Sequence, residues 1–226
     1  MTEVEENQHL LRTGRLTSKL IHDFKNQLGG MKLYAAYLKR RFADNPEGVE
    51  VADKIIEGIN NMAEQASVLS RLTRPLELKL CSADLVSLIE DLVSECRSNA
   101  GTKNVSIVTR FEEKEIRAEL DSRLLSGALK AILERAIDST VAGGEVVIQL
   151  SKAEKEVSIA IIDKGENPGE LKVAGLFDPL SADRIDGRSL ELALAERIIE
   201  NHRGSVGASI NEDGGVTINV SLPLQS

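Results

Sequence analysis

The segment His22-Asp-Phe-Lys-Asn-Gln-Leu28 places an imidazole, a carboxylate and a carboxamide within five residues of one another. A neutral imidazole nitrogen is a nucleophile that also exchanges protons near neutral pH. A carboxylate beside it can orient the ring and accept its proton. Wound into an α-helix at roughly 100° per residue, Leu20, Phe24, Leu28 and Met31 cluster within about one quadrant, with His22 roughly 160° from its middle. Asn26, Gly29 and Leu33 share the His22 side. A histidine on the polar face of a helix is not there to pack a core. Gly29 costs the helix about 1 kcal/mol and leaves room for another chain to approach. A single surface histidine ordinarily has no role; what sets this one apart is its company.

The elements that must hold these groups are helical. From about Glu6 to Leu72 there is no strand pattern, and Pro46 is the single proline. Leu20, Phe24, Leu28, Met31 and Leu38 recur at amphipathic-helix spacings. Phe42-Ala-Asp-Asn-Pro-Glu-Gly48 interrupts them with turn residues. Val51, Ile55, Ile59, Met62, Ala66 and Leu69 then resume in a coiled-coil-like seam. Two long helices joined by a short turn form an antiparallel hairpin. A lone hairpin cannot cover both seams, so the pattern predicts a homodimer built as a four-helix bundle; folding of the hairpin against its own C-terminal half is the alternative.

Pro75 ends the second helix, and the texture changes to mixed α and β. Helices are predicted over 84–98, with Ser82 as N-cap, over 124–137 and over 189–201. Strands are predicted over 105–111, 115–120, 146–151, 157–162, 206–210 and 216–222, the last two closing a hairpin through Glu212-Asp-Gly-Gly215. This implies two domains, an all-α hairpin at 1–76 and an α+β sandwich at 77–226, with helices on one face of a mixed sheet.

The bulk composition narrows the function classes. With net charge -8 and pI near 5.1, the chain as a whole suits neither nucleic acid nor an anionic membrane, although 28 Lys and Arg leave room for a local basic patch. No apolar run nears the ~20 residues that span a bilayer, and the first twenty residues carry no secretory core. Cys81 and Cys96 have no metal-ligand spacing and read as reduced thiols. The expectation is a cytoplasmic protein.

The His22 segment resembles the phosphoacceptor box of two-component histidine kinases, in which the histidine is followed by an acid and then, three residues on, by Asn or Thr. Further pieces follow in the family's order. Ser70-Arg-Leu-Thr-Arg-Pro-Leu-Glu-Leu78 resembles the end of the dimerisation helix in sensor kinases of the nitrogen-regulation type. Residues 128–138 resemble the N box of the ATP-binding domain. Asp163-Lys-Gly-Glu-Asn-Pro-Gly169 resembles the first glycine box, and Gly175-Leu-Phe-Asp-Pro179 the phenylalanine box. Ser189-Leu-Glu-Leu-Ala193 with 198–204 resembles the second glycine box and its following helix, and 214–223 the final strand. The resemblance implies His22 as phosphoacceptor, Asp23 as the group that orients it and takes its proton, and Asn26 as the residue that positions water against a partner's aspartyl phosphate. It implies a response-regulator receiver domain as partner, with the receiver supplying Mg²⁺.

The departures from the family are as informative. The N box carries Asn where this chain has Ala131 and Arg135, and the second of these normally holds Mg²⁺. Arginine offers no oxygen and repels a cation. Ser189 and Glu191 replace glycines whose backbone approaches the phosphates, and a carboxylate there opposes a polyanion. Asp163, whose counterpart reads the adenine amino group, remains, with Gly165 and Gly169. The expectation is a remnant ATP site, no metal and no cofactor on this chain, and a histidine phosphotransferase derived from a kinase, relaying phosphoryl groups between receiver aspartates through His22. Two alternatives stay open: an ATP-dependent autokinase with a noncanonical site, and a non-catalytic or phosphatase-biased module that binds a response regulator.

Overall fold

Asn45 opens the second of two long helices: its side-chain oxygen accepts the Gly48 N–H at 3.2 Å, and Pro46 occupies the first turn, where a missing N–H costs nothing. The computed structural model describes residues 3–165, 168–179 and 187–224. Helix α1 spans Glu3–Arg41 and α2 spans Pro46–Thr73. The chain divides into two compact units, Met1–Pro75 and Leu76–Ser226.

Within the hairpin, the buried stripe is not quite the predicted one. Ile21, Leu28 and Ala35 on α1 face Ala52, Ile59 and Ala66 on α2, each set at a spacing of seven. Leu28, Ala35 and Ile59 form one core with Ile56 and Ala63 against it. Lys39 pairs with Asp53 at 2.6 Å, and Lys25 Nζ donates to the Ser67 hydroxyl at 3.3 Å. Of the expected seam residues, Leu20, Phe24, Met31 and Leu38 on α1 and Val51, Ile55, Met62 and Leu69 on α2 are exposed. Each helix thus carries two apolar stripes. The pairing of α1 with α2 uses the one rich in alanine, because small side chains let the two backbones come close.

The second unit begins with β1 (Cys81–Asp84), α3 (Leu85–Thr102), β2 (Ser106–Phe111), β3 (Arg117–Leu120) and α4 (Ser122–Ser139). It continues with β4 (Glu145–Lys152), β5 (Glu156–Ile162), the short α5 (Glu170–Ala174), α6 (Gly187–Asn201), β6 (Ser205–Ile210) and β7 (Val216–Pro223). β1 and β3 form an antiparallel pair, and the main sheet runs β2-β4-β5-β7-β6. β2 and β4 are parallel and the other neighbours antiparallel, giving the expected mixed sheet. Along β5, buried Val157, Ile159 and Ile161 alternate with half-buried Ser158, Ala160 and Ile162, so one face is covered by helices. The large apolar side chains of α3, α4 and α6, among them Ile89, Leu129, Ile132 and Ile199, make up the cover.

Two carboxylates organise the helix starts. Asp84, not Ser82, caps α3: it accepts the N–H groups of Val86 (3.2 Å), Ser87 (3.1 Å) and Ile116 (2.9 Å) and the Ser87 hydroxyl (2.6 Å). Ser82 is held in β1 opposite Glu119 and cannot turn into the helix. Asp121 caps α4 by accepting Leu124 N–H and, across the fold, Lys79 N–H, each at 3.0 Å. Burial pushes both carboxyls up. The Ser87 hydroxyl and the three N–H donors outweigh it at Asp84, and the Leu124 and Lys79 N–H groups, with Arg123 and His202 nearby, outweigh it at Asp121. Both therefore sit below the ordinary carboxylate range.

The end of α6 is tied to the start of α4 by His202. Its Nδ1 lies 2.8 Å from the Ile198 carbonyl, and its Nε2 accepts the Asp121 N–H at 2.9 Å. That pattern assigns the Nδ1–H tautomer.

Two outcomes follow. His202→Ala leaves the buried Asp121 N–H without its acceptor and should lower unfolding free energy by about 1–3 kcal/mol, read from the denaturant midpoint. A carboxyl held low when folded contributes stability that is complete above its unfolded value, about 3.9, and is lost as pH falls through the lower folded value. Acid unfolding of the α/β unit should therefore set in below about pH 4, and Asp121→Asn should flatten that dependence; an unchanged acid profile would contradict the Asp121 assignment.

Candidate functional site

Helix α1 presents His22 outward, its side chain 70% exposed. One ring nitrogen, Nδ1, lies 3.5 Å from Asp23 Oδ1 and 3.4 Å from Asn26 Nδ2 one turn on. The three sequence-predicted groups are thus together, and a Cβ at the nearby Gly29 or Gly30 would meet nothing within 4 Å. Nδ1 can serve only one of these partners at a time. As a donor it points its proton at the Asp23 carboxylate, or at the Asn26 oxygen after an amide flip, and Nε2 then carries the free lone pair. That arrangement is a nucleophile with its second nitrogen anchored. Leu33 and Tyr37 continue the same stripe three and four turns beyond His22, and both are exposed. Counting on along the helix from Leu33 finds Tyr37, which the sequence reading missed.

The second group of predicted residues is in the α/β unit. Asp163 ends the strand segment after β5 and is almost completely buried, its side chain 1% exposed. Its Oδ1 accepts the N–H groups of Val216 at 2.9 Å and Gly165 at 3.1 Å. Its carbonyl accepts from Asn211 Nδ2 at 2.8 Å. Gly165 and Gly215 let the chain close around it, since a Cβ on the first would strike the Ser139 carbonyl and on the second the Asp163 carbonyl. A bridge between Thr140 and Gly165 ties the end of α4 to this turn.

Asp163 Oδ2 faces Arg135 Nη1, and the two form a buried ion pair. Arg135, from the last turns of α4, is itself only 11% exposed along its side chain. The residue at the position where the resemblance implies a metal-binding oxygen therefore grips the residue whose counterpart reads the adenine amino group. Both had been singled out from the sequence, but their contact had not. The only sequence signal for it was the joint presence of a cation and an anion at two positions assigned to one ligand.

The remaining predicted residues are near in sequence but differ in setting. Gly169 takes a left-handed conformation, φ +88°, and its carbonyl accepts the Lys172 and Val173 N–H groups of α5. Ser189 and Glu191 are inside the first turns of α6, which packs on α4. Asp138, at the end of α4, is shared between Lys103 and Arg188 and so joins α3, α4 and α6.

Comparison with known proteins locates these features. Residues 120–226 match the model of the histidine kinase-, DNA gyrase B- and HSP90-like ATPase family. The sensor histidine kinase ZraS of Escherichia coli K12 is 24% identical over 224 residues, covering 98% of this chain and 48% of ZraS. This chain thus spans about half the length of that relative. Among solved structures, full-length ShkA in complex with AMPPNP superposes with a TM-score of 0.79 at 18% identity, over 94% of this chain and 46% of that one. The histidine kinase ThkA in complex with the response regulator TrrA superposes at 0.73 and 18% identity, over 99% and 65%. These likenesses give the fold. Among the described residues, no helix is long and apolar enough to cross a membrane.

The exposure contrast between His22 and His202 is directly measurable. Diethylpyrocarbonate should modify His22 well before His202, which is buried with both ring nitrogens engaged. Peptide mapping by mass spectrometry reads the order, and equal rates would contradict the described environments.

Proposed function

We propose that this chain, a two-component signalling protein of the histidine-kinase type, relays phosphoryl groups between receiver-domain aspartates through His22. The observation that carries the reading is the exposed His22 with Asp23 Oδ1 3.5 Å from its Nδ1, a carboxylate able to hold the Nδ1 proton and leave Nε2 open to a partner. In the forward step the Nε2 lone pair attacks phosphorus, an N–P bond forms, and the acyl-phosphate P–O bond breaks to release the receiver's carboxylate. The Nδ1 proton is shared with the Asp23 carboxylate, which offsets the positive charge growing on the ring. In the return step a second receiver's carboxylate oxygen attacks phosphorus and the N–P bond breaks, its electron pair returning to Nε2.

Charge supports an acidic partner. Between residues 19 and 41, α1 carries Lys19, Lys25, Lys32, Lys39, Arg40 and Arg41 against the single acid Asp23, although the whole chain is at -8. A basic helix steers an acidic phosphoacceptor pocket toward His22. The unpaired apolar stripes support the homodimer. Phe24, Met31, Ile55 and Met62 are exposed on one hairpin, and a cleft of about 340 Å³ at its turn, lined by Leu38, Phe42, Val51 and Ile55, is open to a second copy. Joining two hairpins as a four-helix bundle buries both stripes.

The residues of the α/β unit do not fit Mg·ATP. Arg135 offers a cation no ligand, and its guanidinium engages the carboxylate that adenine would need. No step of the relay uses nucleotide.

The decisive assay starts from a receiver domain charged with labelled phosphate through acetyl phosphate. Label should move to the wild-type chain as an acid-labile adduct and not to His22→Ala. A wild type that stays unlabelled while binding the charged receiver and releasing inorganic phosphate would replace the relay with the phosphatase-biased reading, and Asn26→Ala should then abolish that release. Separately, Met31→Glu with Met62→Glu should convert a dimer to a monomer in analytical ultracentrifugation. A wild type that is already monomeric at about 10 μM, where a stable bundle with Kd well below this is dimeric, would exclude the four-helix bundle.

A further inference from the structure

We infer that Arg135 is an internal occupant of an amino-group-reading pocket: its guanidinium takes, on Asp163, the place of an external planar N–H donor, and its removal opens that pocket to an aminopurine or an amidinium. The inference rests on reading residues 120–226 as an ATPase-type domain that no longer handles nucleotide, and it concerns what fills the base end of that site.

Asp163 is built as a receptor. Two backbone N–H groups, from Gly165 and Val216, fix Oδ1 and so orient the carboxylate plane, leaving Oδ2 to meet a donor arriving from α4. The walls at Gly165 and Gly215 are bare backbone, closed too tightly for any side chain. A carboxylate this deeply buried must have a partner for Oδ2, because an unpaired buried charge is strongly destabilising. Arg135 provides it with positive charge and planar N–H geometry, the two features a carboxylate recognises best. The edge of an adenine offers the same planar N–H without the charge.

Competition favours the internal group. Arg135 is delivered by a helix anchored at both ends, through the Asp121 cap and through the Lys103–Asp138–Arg188 ion pairs. It is therefore present at a high effective concentration, and no free ligand pays less to reach Oδ2. The pair also explains how the domain can stay folded without nucleotide: the charge that a ligand would satisfy is satisfied by the chain itself.

The test is thermal unfolding and calorimetry of the full chain with adenosine and, separately, benzamidine as probes. Wild type should bind neither at millimolar concentration. Arg135→Ala should melt lower, and both probes should raise its Tm in a saturable way, with apparent affinity at least about tenfold above that for wild type, the difference that ligand linkage makes visible in Tm. Arg135→Ala/Asp163→Ala should melt without responding to either probe. A folded Arg135→Ala that takes neither probe overturns the inference and leaves the His22 relay untouched. A wild type that binds adenosine as tightly as the variant overturns the inference together with the decayed-site reading, again without bearing on receiver-to-His22 transfer.

If Arg135→Ala does not fold, the wild type still decides. Its Arg135 guanidinium should give a slowly exchanging nitrogen-15 resonance that is absent in Asp163→Asn and unmoved by excess adenosine. Displacement of that resonance by adenosine would overturn the inference.

Discussion

The buried carboxylate of Asp163 is the interaction on which the α/β unit turns. It joins the exit of β5, the entry of β7 and the end of α4, three segments that are distant in sequence. Each bond it accepts removes a polar group that would otherwise be orphaned in the interior. Its charge makes the arrangement exacting, since a buried anion without a cation is far less tolerable than a buried neutral group. Arg135 answers that demand from within the chain. The charge on the buried carboxylate is thereby balanced by the chain itself.

The hairpin obeys a different constraint. Its helices carry more apolar surface than one copy can bury, and the surplus is ordered as stripes at heptad spacing. Surplus scattered over the surface would need no explanation, whereas surplus ordered at a heptad repeat has the pattern of a helix-packing seam. His22 lies on neither stripe. The exposed apolar stripe and the His22 face therefore occupy different sides of α1.

The two units differ in physical character. The α/β unit is held by cooperative burial of the side chains of Leu129, Ile132, Ile148 and Ile159 and by carboxylate caps that cross the fold. The hairpin is held by a narrow alanine-rich seam and leaves His22 in water. The two imidazoles follow the same division: His22 is exposed on the hairpin, whereas His202 is buried in the α/β unit with both nitrogens committed.

Much of this was legible in the sequence. Helical period, turn residues at Phe42–Gly48, and alternation in the strands dictated the two halves, and the polar-face position of His22 with Asp23 and Asn26 followed from 3.6-residue geometry, because these are local properties of the chain. Long-range pairing was not legible. The β1–β3 ladder, the short α5 and the transfer of the α3 cap from Ser82 to Asp84 depend on segments that meet only after folding. Which of two apolar stripes joins α1 to α2 was decided by how closely the backbones can approach. That Arg135 meets Asp163 was decided by the packing of α4 beside the sheet, since no sequence pattern encodes the distance between a helix side chain and a strand end 28 residues away.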